Sequence, residues 1–297
     1  MTFEQLKKKS SDLTMRIDSA IRMDDKKLEL ELKKELYRTK LEALELIGQE
    51  EKRAGVTARV LRETVKNRPV IARYSTGILP LDSALCGGIE QGTFVQLAGQ
   101  SFSGKTHLVV EILSNISAYT KSVFFNFEMG ESRIIQRIDR LFQHEAQWDN
   151  LIIDSTTFSL KDLIMEITLY AREGIKFFAI DSKMKIDVHY EKDEHKKFSA
   201  ISKELARLAQ QKEIIIILIN QMSEDDIKNK RLAFKGSGDQ LYDTDIALFY
   251  VLNKDDETTR TLMCTKNRQD ENSFTLKLQL DANNKTISAS DSYRYAN

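Results

Sequence analysis

Over the first seventy residues, apolar side chains recur every three or four positions among lysines and glutamates: Ile17, Ile21, Leu28, Leu32 and Leu36, then Leu41, Leu44 and Ile47. This spacing lines one stripe of a helix, so the segment predicts two or three amphipathic helices with a break marked by Gly55. Periodicity alone leaves two uses of the stripe open, a small bundle packed on the same subunit or an arm docked on a neighbouring one. Arg68-Pro69 ends the region, because the residue before proline is pushed out of the helical conformation. Turn signals then frame an entry segment, Ser75-Thr76-Gly77-Ile78-Leu79-Pro80-Leu81-Asp82 and Gly87-Gly88.

From residue 93 the pattern changes. Strand-like apolar runs at 93–98, 122–127, 149–153, 175–180 and 214–220 alternate with helical spacing over 105–119, 130–143, 160–172 and 196–211. Such alternation predicts a parallel sheet with helices on both faces. Four further strand-like runs, 245–252, 259–266, 273–280 and 285–289, are parted by short polar turns such as Asn253-Lys254-Asp255-Asp256 and Asp281-Ala282-Asn283-Asn284. They predict antiparallel hairpins that extend the sheet. The expected class is α/β, a mostly parallel twisted sheet with C-terminal antiparallel hairpins, divided into a helical region over 1–70 and a sheet domain over 71–297.

Composition narrows the picture little. The chain has 297 residues, of which 41% are hydrophobic and 30% charged, so a sizeable core is available. Its formal net charge is zero, and any nucleic-acid contact must therefore come from local basic patches. Cys86 and Cys264 lie far apart in no metal or disulfide pattern, and the histidines, His189 and His195 included, lack ligand spacing. The start, Met1 to Lys9, has no apolar core of a signal peptide, and the longest apolar run, Ile214 to Ile219, suits a buried strand. These features predict a soluble, cytoplasmic protein without a membrane partner.

Candidate chemistry begins at Gly99-Gln100-Ser101-Phe102-Ser103-Gly104-Lys105-Thr106. This is the pattern G-x-x-x-x-G-K-[ST] between a strand-like run and a helical one, where backbone N–H groups and a helix N-terminus favour a triphosphate. Lys105 is expected on the β/γ-phosphates and the Thr106 hydroxyl on Mg²⁺. Phe177-Phe178-Ala179-Ile180-Asp181 is an apolar strand ending in a carboxylate, the expected second Mg²⁺ contact. Hydrolysis also needs a group to orient or deprotonate water. Ser182 follows Asp181, so no adjacent carboxylate serves. Glu128, at the end of the neighbouring run 122–127, is the candidate, because strand ends of a parallel sheet converge on the ligand crevice. Gln221, after Ile216-Ile217-Leu218-Ile219-Asn220, is placed either to sense the γ-phosphate or simply to cap its strand.

Taken in order, Thr76-Gly77 with Leu81-Asp82, the P-loop, Phe127-Glu128-Met129 followed by Arg137-Ile138, Ile180-Asp181 and Asn220-Gln221-Met222 resemble the motifs of RecA-fold P-loop ATPases. The likeness is greatest to the C-terminal motor domain of DnaB-type replicative helicases. Ser237-Gly238, Asp243-Thr244-Asp245-Ile246-Ala247-Leu248 and Lys266-Asn267-Arg268 continue it, so that it covers residues 75–289. The resemblance implies a RecA-like core, ATP and Mg²⁺ as cofactors, Glu128 as the catalytic carboxylate and Gln221 as the residue coupling nucleotide to DNA. It makes Lys266 and Arg268 fingers that reach the ATP of the adjacent subunit in a homohexameric ring or a filament. Residues i and i+2 of a strand point the same way, as that role requires.

The chain departs from the family pattern. Residues 1–70 are too short for its N-terminal domain plus linker helix; Gln269-Asp270-Glu271-Asn272 replaces a Gly/Pro turn; Ser182-Lys183-Met184-Lys185 follows Asp181. RadA-like and phage-type recombinases share the P-loop and the Lys-Asn-Arg, and a DNA-independent nucleotide-switched loader is a third reading. In this fold single-stranded DNA would meet the loops after the Asp181 and Gln221 strands, which offer Lys183 and Lys185, then Lys228, Lys230, Arg231 and Lys235. Without the fold these are ordinary solvated charges. A primase or a loader is the expected partner of residues 1–70.

Overall fold

The computed structural model describes the chain except residues 1, 51–56, 67–70, 190, 224, 225, 227, 228, 230, 236–239, 254, 255, 257, 281–285, 289–293, 296 and 297. Gly55, Arg68, Pro69, Gly236, Ser237, Gly238 and parts of the two polar turns therefore lie outside the described residues. Contacts divide it into two compact units, Met1–Val70 with Met165–Leu169, and Ile71–Ile164 with Tyr170–Asn297. Among the described residues no helix is long and apolar enough to cross a membrane.

In the first unit, α1 (Phe3–Arg22) starts from a capping box: Gln5 N–H donates to Thr2 Oγ1 and Thr2 N–H to Gln5 Oε1. α2 (Lys26–Glu50) follows a tight turn with Asp24 at positive φ. Leu13, Ile17 and Ala20 pack on Leu32 and Leu36. Ile21 and Leu28, expected on the same stripe, are exposed, and Ala20 takes the buried position beside Ile21. α3 (Ala58–Lys66) buries none of its residues.

The second unit opens with β1 (Arg73–Tyr74), α4 (Leu79–Ala84) and β2 (Ile89–Glu90), the two strands pairing antiparallel. Asp82 holds the entry turn, its carboxylate accepting from Thr76 N–H, Thr76 Oγ1 and Gly77 N–H. Then come β3 (Phe94–Gly99), α5 (Lys105–Ser117), β4 (Ser122–Asn126), α6 (Glu131–Asp139), α7 (Glu145–Asn150), β5 (Leu151–Asp154), α8 (Leu160–Arg172), β6 (Phe177–Asp181), α9 (Glu194–Lys212) and β7 (Ile215–Ile219). The chain ends with α10 (Gln240–Asp243), β8 (Ile246–Leu252), β9 (Thr259–Asn267), β10 (Phe274–Leu280), β11 (Thr286–Ser288) and β12 (Arg294–Tyr295).

The main sheet runs β11-β10-β9-β8-β3-β7-β6-β4-β5, with β12 on β10. β3, β4, β6 and β7 are buried along their whole lengths, as strands covered on both faces must be. β10 instead alternates buried and more exposed positions. The expected hairpins are present: β8, β9, β10 and β11 pair antiparallel in succession, and β8, lying parallel to β3, joins them to the parallel part of the sheet. The 26 residues 220–245 carry the chain from the far end of β7 back to the near edge, and such a crossover delivers a parallel strand.

The short α7 was not visible in the sequence. Buried Gln147 holds it: its Oε1 accepts from Gln143 and His144 N–H, and its Nε2 donates to Ser114 O on α5 at 2.8 Å.

Candidate functional site

The C-terminal ends of β3, β4, β6 and β7 surround a cleft of about 820 Å³. β3 delivers Gly99 with β8 alongside; a Cβ on Gly99 would stand 2.3 Å from the Tyr250 carbonyl oxygen, so only glycine allows that approach. Gly104 caps α5 at φ 95°, turning the loop back so that α5 points its N-terminus into the cleft. Between them Phe102 adopts φ 63° and is 99% exposed. Buried Lys105 donates to Gly99 O at 3.1 Å and Gln100 O at 2.6 Å. Burial lowers its pKa against the opposing pull of Asp181 and Glu128.

β4 and β6 are in register at Asn126 and Asp181. The Asn126 side chain clasps the turn beyond its strand, donating to Met129 O at 2.7 Å and accepting from Met129 N–H. Glu128, held in that turn, accepts at Oε1 from Ser182 Oγ at 2.8 Å. Asp181 Oδ2 accepts from Thr106 Oγ1 at 2.5 Å. Its other oxygen, Oδ1, is buried without a hydrogen-bond partner. Burial pushes the Asp181 carboxyl up to about 6; the Thr106 hydrogen bond opposes this, and nearby Glu128 adds to it. Gln221 lines the same cleft, and the N–H of its neighbour Met222 donates to Gly99 O at 3.3 Å. The structure thus brings together Gly99 to Thr106, Glu128, Asp181 and Gln221.

This oxygen set fits a hard divalent cation. An orphaned carboxylate oxygen beside a hydroxyl is what Mg²⁺ takes when substrate phosphates and water supply its other ligands. Among the described residues there is no group of three or more His, Cys, Asp or Glu that would form an all-protein metal cage.

The structure adds cations that sequence reasoning did not assign. Arg133, Arg137 and Arg140 line the cleft from α6 and its C-cap. Their three- and four-residue spacing, directly after Glu128, is the signal that would have found them. Burial lowers the pKa of Arg137, with Asp181 pulling it up. Arg260, at the start of β9, donates from Nε to Ser103 O at 3.0 Å and lines the cleft with Tyr250. No local motif marks it, since β9 reaches the P-loop only through sheet order.

Lys266 and Arg268 are not in this cleft. The β3–β8–β9 register sets Gly99 level with Tyr250 and Leu262, and Val95 level with Ile246 and Asn267. Lys266 is four residues beyond Leu262 on a strand running away from the P-loop, about 13 Å at ~3.3 Å per residue. Both cations sit at the opposite end of the strands from the P-loop. Lys266 Nζ donates to Leu241 and Tyr242 O, and burial lowers its pKa. Arg268 donates to Asp245 Oδ1 at 3.2 Å and Tyr242 O at 2.6 Å. Asp245 Oδ2 in turn accepts from Phe94 N–H, which ties this end of the sheet to the start of β3.

Of the cations expected to meet DNA, Lys183 is corrected: it is 0% exposed. A 3-10 turn over Lys183–Lys185 folds its side chain inward, Nζ donating to Ser202 Oγ and Gln240 Oε1 over the Phe198 ring. Lys185 and Arg231 are exposed and Lys235 half-buried; Lys228 and Lys230 lie outside the described residues.

No family model matches the chain. A 96-residue stretch is 34% identical to the DNA repair protein RadA of Campylobacter jejuni, covering 32% of this chain and about a fifth (21%) of that protein. The DNA repair and recombination protein RadB of Methanococcoides burtonii is 23% identical over 167 residues, covering 53% of this chain and 74% of RadB. Among solved structures, an isolated ATPase domain superposes with a TM-score of 0.62 at 20% identity, over 78% of this chain and 96% of that one. A DnaB-like replicative helicase, whose structure describes its interactions with primase, superposes with a TM-score of 0.66 at 17% identity, over 96% of this chain and 76% of that one. The fold is RecA-like, shared with that ATPase domain and with the DnaB-like replicative helicase.

Proposed function

We propose that the chain is one subunit of an oligomeric, Mg-ATP-driven motor on single-stranded DNA, of the DnaB replicative-helicase type. Lys105 and the P-loop N–H groups bind the phosphates, and Thr106 and Asp181 hold Mg²⁺, which neutralises phosphate charge when bound. Glu128, oriented by Ser182, takes up the proton of the attacking water. Arg137 and Arg260 add positive potential from the same subunit. The observation that carries the reading is the position of Lys266 and Arg268 at the end of the strands opposite their own P-loop. A cation there meets a phosphate only in a second subunit, and a head-to-tail contact between the two sites closes a ring when the rotation permits. The fold neighbours support the helicase type, and residues 1–70 as a separate helical docking unit for a primase or loader accord with it.

The similarity to RadA and RadB favours a second reading, a recombinase or annealing ATPase. Particle imaging with an ATP analogue and single-stranded DNA separates them. Closed rings around the strand are the expected result. Open filaments would favour recombination, and an ATPase rate indifferent to DNA would favour the nucleotide-switched loader.

A further inference from the structure

Lys183 has no part in the proposed reaction, yet it lies at the centre of a buried polar network. Gln96, Lys183, Ser202, Asn220, Gln240 and Thr244 are all 0% exposed. Lys183 Nζ donates to Ser202 Oγ at 2.8 Å and Gln240 Oε1 at 2.5 Å. The same Gln240 oxygen accepts from Asn220 Nδ2 at 3.2 Å, which also donates to Gln96 Oε1 at 3.2 Å. Gln96 Nε2 donates to Thr244 Oγ1 at 2.7 Å. Five elements are thereby joined: β3 three residues before Gly99, the turn after Asp181, α9 through Ser202, the end of β7, and α10.

The network also grips the segment expected to meet DNA. Gln240 Nε2 donates to Lys235 O at 3.2 Å, and Lys235 N–H donates to Gln221 O at 2.7 Å, closing the base of segment 221–235. Phe234, from the same base, stacks on Phe249 of β8. The buried Lys183 amino group and its buried amide and hydroxyl partners hold one another in place, because losing any partner strands a desolvated polar group. Hydrogen bonds thus run without a break from the turn after Asp181 to the base of the segment.

We propose that Lys183 is a positioning residue that couples nucleotide state to segment 221–235, acting through Gln240. This rests on the proposed nucleotide site but not on DNA, so the test uses nucleotide alone. Hydrogen exchange is followed on the full chain with and without a Mg²⁺-loaded, non-hydrolysable ATP analogue. In the wild type, peptides covering 99–106 and 221–235 should both slow on binding. Gln240→Glu keeps the acceptor for Lys183 and Asn220 but removes the donor to Lys235 O. Its P-loop amides should slow as before, while the 221–235 amides exchange roughly fivefold faster and lose their response to analogue. Lys183→Met, which keeps the aliphatic stem over Phe198, should give the same pattern. An unchanged 221–235 response in Gln240→Glu would overturn the coupling while leaving the nucleotide site standing. Wild-type P-loop amides blind to the analogue would overturn both.

Discussion

Asp181 is held in a conflict that nucleotide and cation would resolve. One oxygen has the Thr106 hydroxyl, the other has nothing, and burial raises the carboxyl to about 6. A carboxyl whose folded pKa exceeds its unfolded value makes the protein lose stability as pH rises from about 4 to about 6, since the folded state then holds the extra proton. Asp181→Asn should therefore stabilise the ligand-free protein by about 1–3 kcal/mol at pH 7.5 and scarcely at all near pH 4, measured by urea unfolding at both. Glu128 differs in being held for action. Glu128→Gln should lower ATP turnover by about 10²–10⁴ while analogue affinity stays within a few-fold. Both carboxylates were legible in the sequence, because each ends an apolar run and parallel strand ends converge. Lys183 and Arg260 were not. A lysine in a polar stretch reads as surface until a 3-10 turn folds it inward, and an arginine far along the chain meets the P-loop only through strand order.

At the scale of elements, the strands were legible wherever they are buried throughout, since β3, β4, β6 and β7 are plain apolar runs. β8 is the hairpin strand its composition suggests, paired antiparallel with β9, and the long return from β7 sets it parallel to β3 on its other side. α7 was hidden because six residues carry too little periodicity, its place depending on the single buried amide of Gln147. The β3–β8 pair is also where the P-loop is fixed. Gly99→Ala would drive a Cβ to 2.3 Å from the Tyr250 carbonyl, and the two strands must part to admit it. The variant should lose about 3 kcal/mol or more of stability in urea unfolding and bind ATP analogue poorly, whereas alanine at Gly130, where an added Cβ meets nothing within 4 Å, should leave both nearly unchanged.

For the whole molecule, the proposed motor needs a site divided between two copies of the chain. Lys105, Thr106, Asp181 and Glu128 lie at one end of the strands and Lys266 and Arg268 at the other, with Asp245 fastening the second end to the foot of the P-loop strand. Arg268→Ala should then bind analogue normally and lose about 10³-fold or more in turnover, the usual worth of a finger supplied from a neighbour. The most direct measurement is ATP turnover in mixtures of Arg268→Ala and Glu128→Gln, each nearly inactive alone. If the site is shared, equal mixtures should regain about a quarter of wild-type turnover, since random neighbours in an assembly rebuild intact sites with that frequency. Mixtures no more active than the sum of the two variants, with assembly of the mixed protein confirmed, would contradict it.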